Sequence, residues 1–323
     1  MSNDHLYDSA PWTPFYGVAK NAVTSTDGVE ETHFSSIPAM IVAASEKYKP
    51  QTAFTTCMPN GMNGHLTYGQ VDEMSDAFAV YLRESLGLNA GDRVAVQMPN
   101  CLALPVAAFG ILKAGCVLVN VNPLYTRREM AHQFNDSGAT ALVIVDMFAD
   151  KLEDILADTS VKHVVLTSIS QWFSPLIRGV LNLVLKYWNK AIPKHNLNAQ
   201  ILDAAIEIGR KRKAEKRLEV AAYWQDIQRE DTALLQYTGG TTGVSKGAEL
   251  THGNLLSNLE QVNSVAGGHI EAGKECILTA LPIYHIFAFT VNLLAFYHKG
   301  AHNVLVPSPR PIQNCQRAFD NYP

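Results

Sequence analysis

No apolar run in the sequence approaches the roughly 20 residues that a helix needs to span a bilayer. The opening residues, MSNDHLYDSAPWTPFYGVAK, also lack the basic-then-apolar order of a secretion signal. The few cysteines lack the CxxC or CxH spacing of a zinc site and favour reduced thiols over a disulfide framework: Cys57, Cys101, Cys116, Cys276 and Cys315. A net charge of −4 argues against a general attraction to nucleic acid. We therefore expect a cytoplasmic protein, with any membrane contact made from one side only.

What the sequence does contain is 47% hydrophobic against 17% charged residues, which over 323 residues predicts a globular protein with a sizeable core. From Leu66 onward, helix-like and strand-like segments alternate. LTYGQVDEMSDAFAVYLRESLGL has helical spacing and Gly87 placed to end the helix, and GDRVAVQMP follows as a buried strand. Further strands are predicted at CVLVNVNP, TALVIVD and KHVVLT. Continuously apolar strands between helices indicate an α/β fold with a parallel sheet, which we assign to a first subdomain at about 60–170.

The alternation stops between Ser168 and Glu230, where the chain becomes amphipathic and then basic. In QWFSPLIRGVLNLVLKYWNKAIPKH, two apolar rows recur at intervals of four and cations flank them. One row is Trp172, Leu176, Val180, Val184 and Trp188, the other is Phe173, Ile177, Leu181 and Leu185, and the cations are Arg178, Lys186, Lys190 and Lys194. Such a helix either packs on the protein's own surface or a second subunit, or lies in a membrane interface. We predict residues 171–230 as a connecting region.

A second α/β subdomain is predicted over residues 231–323. Its strand candidates are TALLQYT, GAELT, CILTALP and HNVLVPSP, and its helix candidates are HGNLLSNLEQVNSV and IFAFTVNLLAFYHKG. The sequence therefore predicts two α/β units joined by the connecting region.

The stretch LLQYTGGTTGVSKGAELTHGNL combines five glycines, several hydroxyls and one lysine between a predicted strand and a predicted helix. Glycines let a ligand approach the main chain, and consecutive N–H groups with hydroxyls at the rim bind anions. Lys246 adds a mobile cation suited to phosphate oxygens. An ordinary surface loop is the alternative. The stretch is not a Walker A loop, since Lys246 lies between Ser245 and Gly247 instead of following glycine and preceding Ser or Thr.

Three segments in order resemble the AMP-forming acyl-adenylate superfamily, which includes acyl-CoA synthetases, luciferases and peptide-synthetase adenylation domains. They are GLNAGDRVAVQMPN with AAFGILKAGCVLVNVNPLYTRREM, then YTGGTTGVSKGAELTHGNL, and then TALPIYHIFAFTVNLL. The two motifs LQYTGGTTGVSKGA and LPIYHIFA are most similar to those of bacterial long-chain fatty-acid–CoA ligases. The resemblance covers roughly residues 35 to 323. It implies a large N-terminal adenylation domain of stacked αβα subdomains with mainly parallel sheets, incomplete at its C-terminal end.

The resemblance also implies a reaction in two steps, with ATP, Mg²⁺ and coenzyme A as cofactors or co-substrates. A fatty carboxylate attacks the α-phosphate of ATP to give acyl-AMP and pyrophosphate, and the thiol of CoA then displaces AMP. Catalytic roles are implied for Lys246, His285 and Thr238. The implied nucleotide-binding residues are Tyr237, Thr238, Gly239, Gly240, Thr241, Thr242, Gly243, Lys246 and Gly247.

His285 lies between apolar residues after a predicted strand, where a lone histidine is more often an ordinary core residue. The resemblance instead places it beside the acyl carboxylate and the α-phosphate. No pair of carboxylates and no His/Cys cluster suggests a fixed metal site, so magnesium is expected to arrive with ATP. We read Asp72 and Glu73 as solvated helix charges, and His252 as part of a helix start after the N-cap Thr251.

Relatives continue well past the position that corresponds to Pro323, so we expect an N-terminal fragment that is inactive by itself. The adenine, ribose and magnesium sites and a mobile C-terminal domain would follow. Other readings stay open: a ligase for another carboxylate or for acyl-carrier-protein, a nucleotide-binding module without catalysis, or a membrane-interaction protein built around residues 171–194. Peripheral contact with the inner membrane surface and a homodimer are further expectations.

Overall fold

The computed structural model describes residues 34–188, 190–238, 244–266 and 269–322. Up to residue 266 its helices are, in chain order, α1 (Ile37–Lys47), α2 (Tyr68–Val80), α3 (Ala103–Lys113), α4 (Arg127–Ser137), α5 (Ala149–Glu153), α6 (Pro175–Leu183), α7 (Leu202–Lys216) and α8 (His252–Ala266). After it follow α9 (Ile286–Ala288), α10 (Phe296–His298) and α11 (Gln316–Asn321). These described helices fall short, in length or apolar character, of what a membrane crossing requires.

The strands are β1 (Thr52–Cys57), β2 (Asn63–Thr67), β3 (Arg93–Gln97), β4 (Val117–Asn120), β5 (Ala141–Val145), β6 (His163–Thr167), β7 (Gln200–Ile201), β8 (Thr232–Thr238), β9 (Lys246–Thr251), β10 (Cys276–Thr279) and β11 (His302–Leu305). Seven form a sheet in the order β7-β6-β5-β3-β4-β8-β9, parallel except for β9. The other sheet has the order β10-β11-β1-β2, with only β2 antiparallel. The predicted α/β class with mainly parallel sheets is confirmed.

The sheets run across both boundaries of the predicted division of the chain. Strands β8 and β9, from the predicted second subdomain, complete the seven-stranded sheet beside β4. In the four-stranded sheet, β1 from the beginning of the described chain pairs with β11 from near its end, and Phe54 is in register with Asn303. The division into subdomains at about residues 170 and 231 stays a prediction, while sheet membership follows pairings between distant segments of the chain.

The core lies where the buried strands meet α2, α3 and α7. Every residue of α3 is buried, including Lys113, and the apolar positions expected of α2 face it. Helix α2 begins at a capping box in which Thr67 and Gln70 satisfy each other's backbone N–H groups. Gly209 lets α7 approach α2 closely, because a Cβ at this position would collide with the Ala77 carbonyl oxygen. The helices on this face of the sheet therefore form one packed layer.

All five cysteines are unpaired, and four of them are buried. Burial raises the pKa of the Cys101 and Cys116 thiols to about 12. The expectation of reduced thiols therefore agrees with thiols that stay protonated near neutral pH.

In the segment of residues 171–194, the two predicted apolar rows differ in their exposure to solvent. In one row, Phe173, Leu181 and Leu185 are buried. In the other, Leu176, Val180 and Trp188 are exposed. Helix α6 and a π-helical turn, Val184–Trp188, follow Trp172, whose φ of 61° places it in the left-handed region. One row therefore packs on the protein's own surface, and the other faces outward.

His252 does more than follow the N-cap Thr251, because its buried ring accepts a hydrogen bond from the Ile37 N–H at 3.2 Å on Nδ1. It thus joins the start of α8 to the start of α1. Burial lowers the pKa of His252 to about 4, although nearby Asp231 opposes that shift. The folded state therefore holds this ring neutral.

We expect the free energy of unfolding to fall as the pH drops from about 6.5 to about 4. In that pH range His252 is protonated in the unfolded chain but stays neutral in the folded chain. The contribution of this group is about 3 kcal/mol. Urea unfolding at a series of pH values measures it. His252→Asn should flatten this part of the profile. An unchanged profile in the variant would assign the acid sensitivity elsewhere, for example to His298, whose pKa burial also lowers to about 4.

Candidate functional site

Strands β8 and β9 form a hairpin that carries the glycine-rich stretch at the carboxyl end of β8. Thr238 is in register with Lys246, and Tyr237 with Gly247. Gly239, Gly240, Thr241, Thr242 and Gly243 lie outside the described residues. The hairpin brings together the two ends of the predicted anion-binding loop.

Thr238 and Lys246 project from the same face of this hairpin, because residues directly opposite in an antiparallel pair do so. Their Cβ atoms are then about 5 Å apart. Both residues are exposed, and within the described part of the chain no carboxylate forms an ion pair with Lys246. A hydroxyl and an ammonium group side by side at a strand end suit a phosphate or another anion.

The segment that carries His285 meets this same face of the hairpin. Gln236 lies two residues before Thr238 in β8, so its side chain projects on the same side. Its Nε2 donates to the Tyr284 carbonyl oxygen at 3.2 Å. The structure therefore brings the His285 segment to the face of Thr238 and Lys246.

His285 is exposed and caps the short helix α9, where its Nδ1 accepts from the Phe287 N–H at 3.4 Å. In the neutral ring, that bond leaves the proton on Nε2, which is then a donor. The reading of His285 as an ordinary core residue is wrong, because the side chain is at the surface. Phe289, four residues on, is by contrast buried in the core.

Asn100 positions the approach to His285 and was not predicted from the sequence. This buried amide donates to the carbonyl oxygens of Thr279 and Leu281 at 3.0 and 2.9 Å. Its Oδ1 accepts from the Ile283 N–H at 2.9 Å. Both ends of the amide therefore hold the turn between β10 and His285. The sequence signal was a polar residue three positions after the end of the buried strand β3.

Helix α4 holds the opposite face of the hairpin. The hydroxyl of Tyr237 donates to Asp136 Oδ2 at 2.5 Å, and His132 Nε2 lies 3.0 Å from the Ser245 carbonyl oxygen. Burial, and after it the bond to Asp136, raise the pKa of Tyr237, so the phenol stays a donor. The ring covers Gly247, where a Cβ would lie 2.9 Å from ring carbons. We call Tyr237, Asp136, His132 and Gly247 the hairpin clamp.

The residues present fit an anionic ligand better than a metal ion held by protein side chains. In the described ranges, no three His, Cys, Asp or Glu side chains are grouped as metal ligands would be. The groups at the hairpin face are instead donors: the Thr238 hydroxyl, the Lys246 ammonium and the outward Nε2 of His285.

A family model described as AMP-binding enzyme matches residues 42–322. A long-chain-fatty-acid–CoA ligase of Salmonella typhimurium is 45% identical over 296 residues, which are 91% of this chain and 50% of that protein. The ligase of the same name from Haemophilus influenzae is 41% identical, again over 91% of this chain and 50% of that protein. The chain therefore spans about half the length of these curated relatives.

Solved structures show the same fold. One is a long-chain-fatty-acid-CoA ligase from Archaeoglobus fulgidus, with a TM-score of 0.66 and 23% identity, covering 88% of this chain and 50% of that chain. Another is an anthranilate CoA ligase in complex with anthranoyl-AMP, with a TM-score of 0.65 and 18% identity, covering 84% and 45%. At these identities the likeness concerns the backbone.

Proposed function

The chain belongs to the family of AMP-binding enzymes, and from that membership we propose that the protein activates a long-chain fatty acid with ATP and passes it to coenzyme A. In the first step a carboxylate oxygen bonds to the α-phosphorus, the bond from that phosphorus to the bridging oxygen breaks, and pyrophosphate leaves. In the second, the CoA sulfur bonds to the acyl carbon of acyl-AMP, its thiol proton is lost, and AMP leaves. The proposal of a long-chain substrate is supported by relatives of that name at 41–45% identity.

We assign the departing pyrophosphate to the hairpin face. The Thr238 hydroxyl and the Lys246 ammonium would bind the β- and γ-phosphates, together with the loop residues Gly239, Gly240, Thr241 and Thr242. These groups would stabilise the negative charge that grows on the bridging oxygen as pyrophosphate leaves. Magnesium would arrive with ATP and draw charge from the phosphate oxygens.

His285 would act at the α-phosphate side of the same face. Its outward Nε2–H can donate to the attacking carboxylate or to an α-phosphate oxygen. This orients the two reacting groups, which otherwise repel each other by charge. Asn100 fixes the turn before His285, and the Gln236–Tyr284 contact fixes that turn against the hairpin.

One observation carries the proposal: Gln236, Thr238 and Lys246 share one face of the hairpin, and the His285 segment is bonded to that face. This arrangement supports the proposal, because it brings the segment that carries His285 to the face with the hydroxyl and the ammonium group that would bind phosphate. An isolated surface loop would not require such a link.

ATP–pyrophosphate exchange by the complete gene product, across fatty acids of increasing chain length, tests this function. Each acyl-AMP formed is then offered coenzyme A or acyl-carrier-protein. We expect exchange to be fastest with long-chain acids and thioester to form with CoA. Exchange only with a non-fatty carboxylate would contradict the proposed substrate. Transfer only to acyl-carrier-protein would contradict coenzyme A as the acceptor. ATP binding without exchange would favour a non-catalytic module.

We also propose that the 323 residues alone do not form acyl-CoA, because the curated relatives are about twice as long. Acyl-CoA formation by the purified 323-residue chain would contradict this. A cytoplasmic location, contact with the inner membrane surface and association as a homodimer complete the proposal. Sedimentation velocity of the complete gene product checks the homodimer.

The hairpin clamp gives a prediction about rate. Tyr237→Phe keeps the ring over Gly247 but removes the donor to Asp136, so the hairpin loses one charge-assisted bond. We expect pyrophosphate exchange to slow by about 10-fold, with the KM for ATP rising and the KM for the fatty acid unchanged. Tyr322→Phe is the matched control, since Tyr322 lies at the end of the described chain, beside His302. Equal effects of the two variants on exchange would show that the bond from Tyr237 to Asp136 does not support the reaction.

A further inference from the structure

Helix α6 and the π-helical turn after it present an exposed apolar surface. Its members are spaced so that they lie on one side of the helix, and we call them the α6 apolar face: Leu176, Val180, Leu183, Val184, Tyr187 and Trp188. Leu176 is 79% exposed and Trp188 is 86% exposed. Large apolar side chains this exposed and this close together mark a binding surface more often than single exposed leucines do.

The protein holds this face outward in a fixed orientation. On the inner side of the helix, Leu181 and Leu185 are buried in the main core. Polar contacts hold its start, because Trp172 Nε1 donates to Asp203 Oδ1 at 2.7 Å and Arg178 Nη1 donates to Asp203 Oδ2 at 3.2 Å. The exposed face is therefore the outer side of a docked helix.

The charge around this face has a single sign. Between Asp158 and Asp203 the sequence has no acidic residue, although the whole chain has a net charge of −4. The same stretch contains Lys162, Arg178, Lys186, Lys190 and Lys194. The last three of these lysines are exposed, and in the sequence they lie within or just after the segment that carries the apolar face.

We propose that the α6 apolar face docks on an anionic lipid bilayer. Leucine and valine side chains would enter the acyl boundary, Tyr187 and Trp188 would lie at the headgroup level, and the lysines would meet lipid phosphates. A second copy is a poorer occupant, because a symmetric pairing would bring Lys186, Lys190 and Lys194 of both chains together with no acidic partner.

The docking face lies at the same edge of the large sheet as the phosphate-binding hairpin. Helix α6 follows β6, and the hairpin loop follows β8, at the carboxyl ends of parallel strands. Four strand steps separate β6 from β8, or about 19 Å. This inference deepens the proposed function and rests on it for its purpose, since a membrane is where a long-chain acid concentrates.

Sedimentation with vesicles tests the surface, using the complete gene product without ATP. Vesicles of phosphatidylcholine alone are compared with vesicles of equal parts phosphatidylcholine and phosphatidylglycerol. We expect binding to the anionic vesicles, weakened by salt. Leu183→Ser with Trp188→Ser should lower the partition coefficient by about 30-fold. Lys186→Gln with Lys190→Gln should lower it by about fivefold per lysine on anionic vesicles and leave binding to neutral ones unchanged.

Val265→Ser with Phe319→Ser is the matched control, because both are exposed apolar residues on other elements. It should sediment like the parent protein. Three results would overturn the proposal: no binding by the parent, equal binding by the Leu183/Trp188 variant, or conversion of a lipid-free dimer to monomer by that variant. Failure of pyrophosphate exchange with vesicle binding intact would instead count against the proposed function alone.

Discussion

Lys246→Gln is expected to slow ATP–pyrophosphate exchange by about 100-fold or more while leaving the dissociation constant of the fatty acid unchanged. Lys246 lies opposite Thr238 at the carboxyl end of β8, where we propose that the departing pyrophosphate gathers charge. Glutamine keeps a donor and most of the side-chain length, so the variant removes mainly the positive charge. Exchange is measured with saturating fatty acid, and fatty-acid binding by calorimetry without ATP.

Two further variants sharpen the Lys246 prediction. Lys246→Arg keeps the charge with a different shape and should retain more exchange than Lys246→Gln. Lys274→Gln removes an exposed lysine from another surface and should exchange like the parent protein. If Lys246→Gln weakened fatty-acid binding as much as exchange, the lysine would serve simple binding and its assignment to pyrophosphate would fail.

Lys113→Met is expected to lower the free energy of unfolding by about 3 kcal/mol or more. The Lys113 side chain is 0% exposed, and its Nζ lies 2.5 Å from Asp72 Oδ1 and 2.9 Å from Asp76 Oδ1. Removing the cation leaves two carboxylates near each other, with Asp76 largely buried. Reading Asp72 as a solvated helix charge is therefore wrong, because its carboxylate pairs with a buried lysine. Urea unfolding at neutral pH measures the loss.

Lys213→Met is the control for this cluster. Lys213 also pairs with Asp76, at 2.7 Å, but its side chain is partly exposed, so its loss should cost much less. Burial raises the pKa of Asp76, yet the charges and hydrogen bonds of Lys113 and Lys213 outweigh burial and lower it below 3.8. Its stabilisation is therefore present above pH 3.8 and lost as the pH falls through the lowered pKa. Similar losses of unfolding free energy in both lysine variants would contradict the prediction that the buried lysine contributes more than the partly exposed one.

Periodicity predicted the strand and helix types well, because each is a local property of the chain. The helix that begins at Tyr68 and the strands β3 to β6 are where continuous apolar segments and glycine stops placed them. The pairing of Phe54 with Asn303 was beyond this reasoning, since neither segment contains information about the other. Sheet membership is a long-range property, and the sequence-based division of the chain could not include it.

The candidate site shows the same limit. The composition of the loop and the resemblance identified Thr238, Lys246 and His285, and the structure places Thr238 and Lys246 in register. Nothing local in the sequence marked Asp136, which lies in a polar helix and acts through contact with Tyr237. Asn100 and Gln236 could have been noticed as polar residues in or beside buried strands. Their partners, however, are backbone atoms 179 and 48 residues away in the chain.

The amphipathic segment was the case where periodicity left two readings open. Packing on the protein's own surface and an outward-facing surface are both present in the structure, each using one of the two rows. The pattern could not assign the rows, because both have the same spacing and similar side chains. In the structure, Leu181 and Leu185 are buried in the main core, and Asp203 contacts Trp172 and Arg178 at the start of the segment.

We propose above all that the hairpin face of Thr238 and Lys246 holds the pyrophosphate end of ATP during acyl activation. The most direct measurement is a crystal structure of the complete gene product with magnesium and a non-hydrolysable ATP analogue. We expect triphosphate density within hydrogen-bond distance of the Thr238 hydroxyl and the Lys246 ammonium, on the side of the hairpin that meets the His285 segment. Triphosphate density on the α4 side, or away from the hairpin altogether, would contradict it.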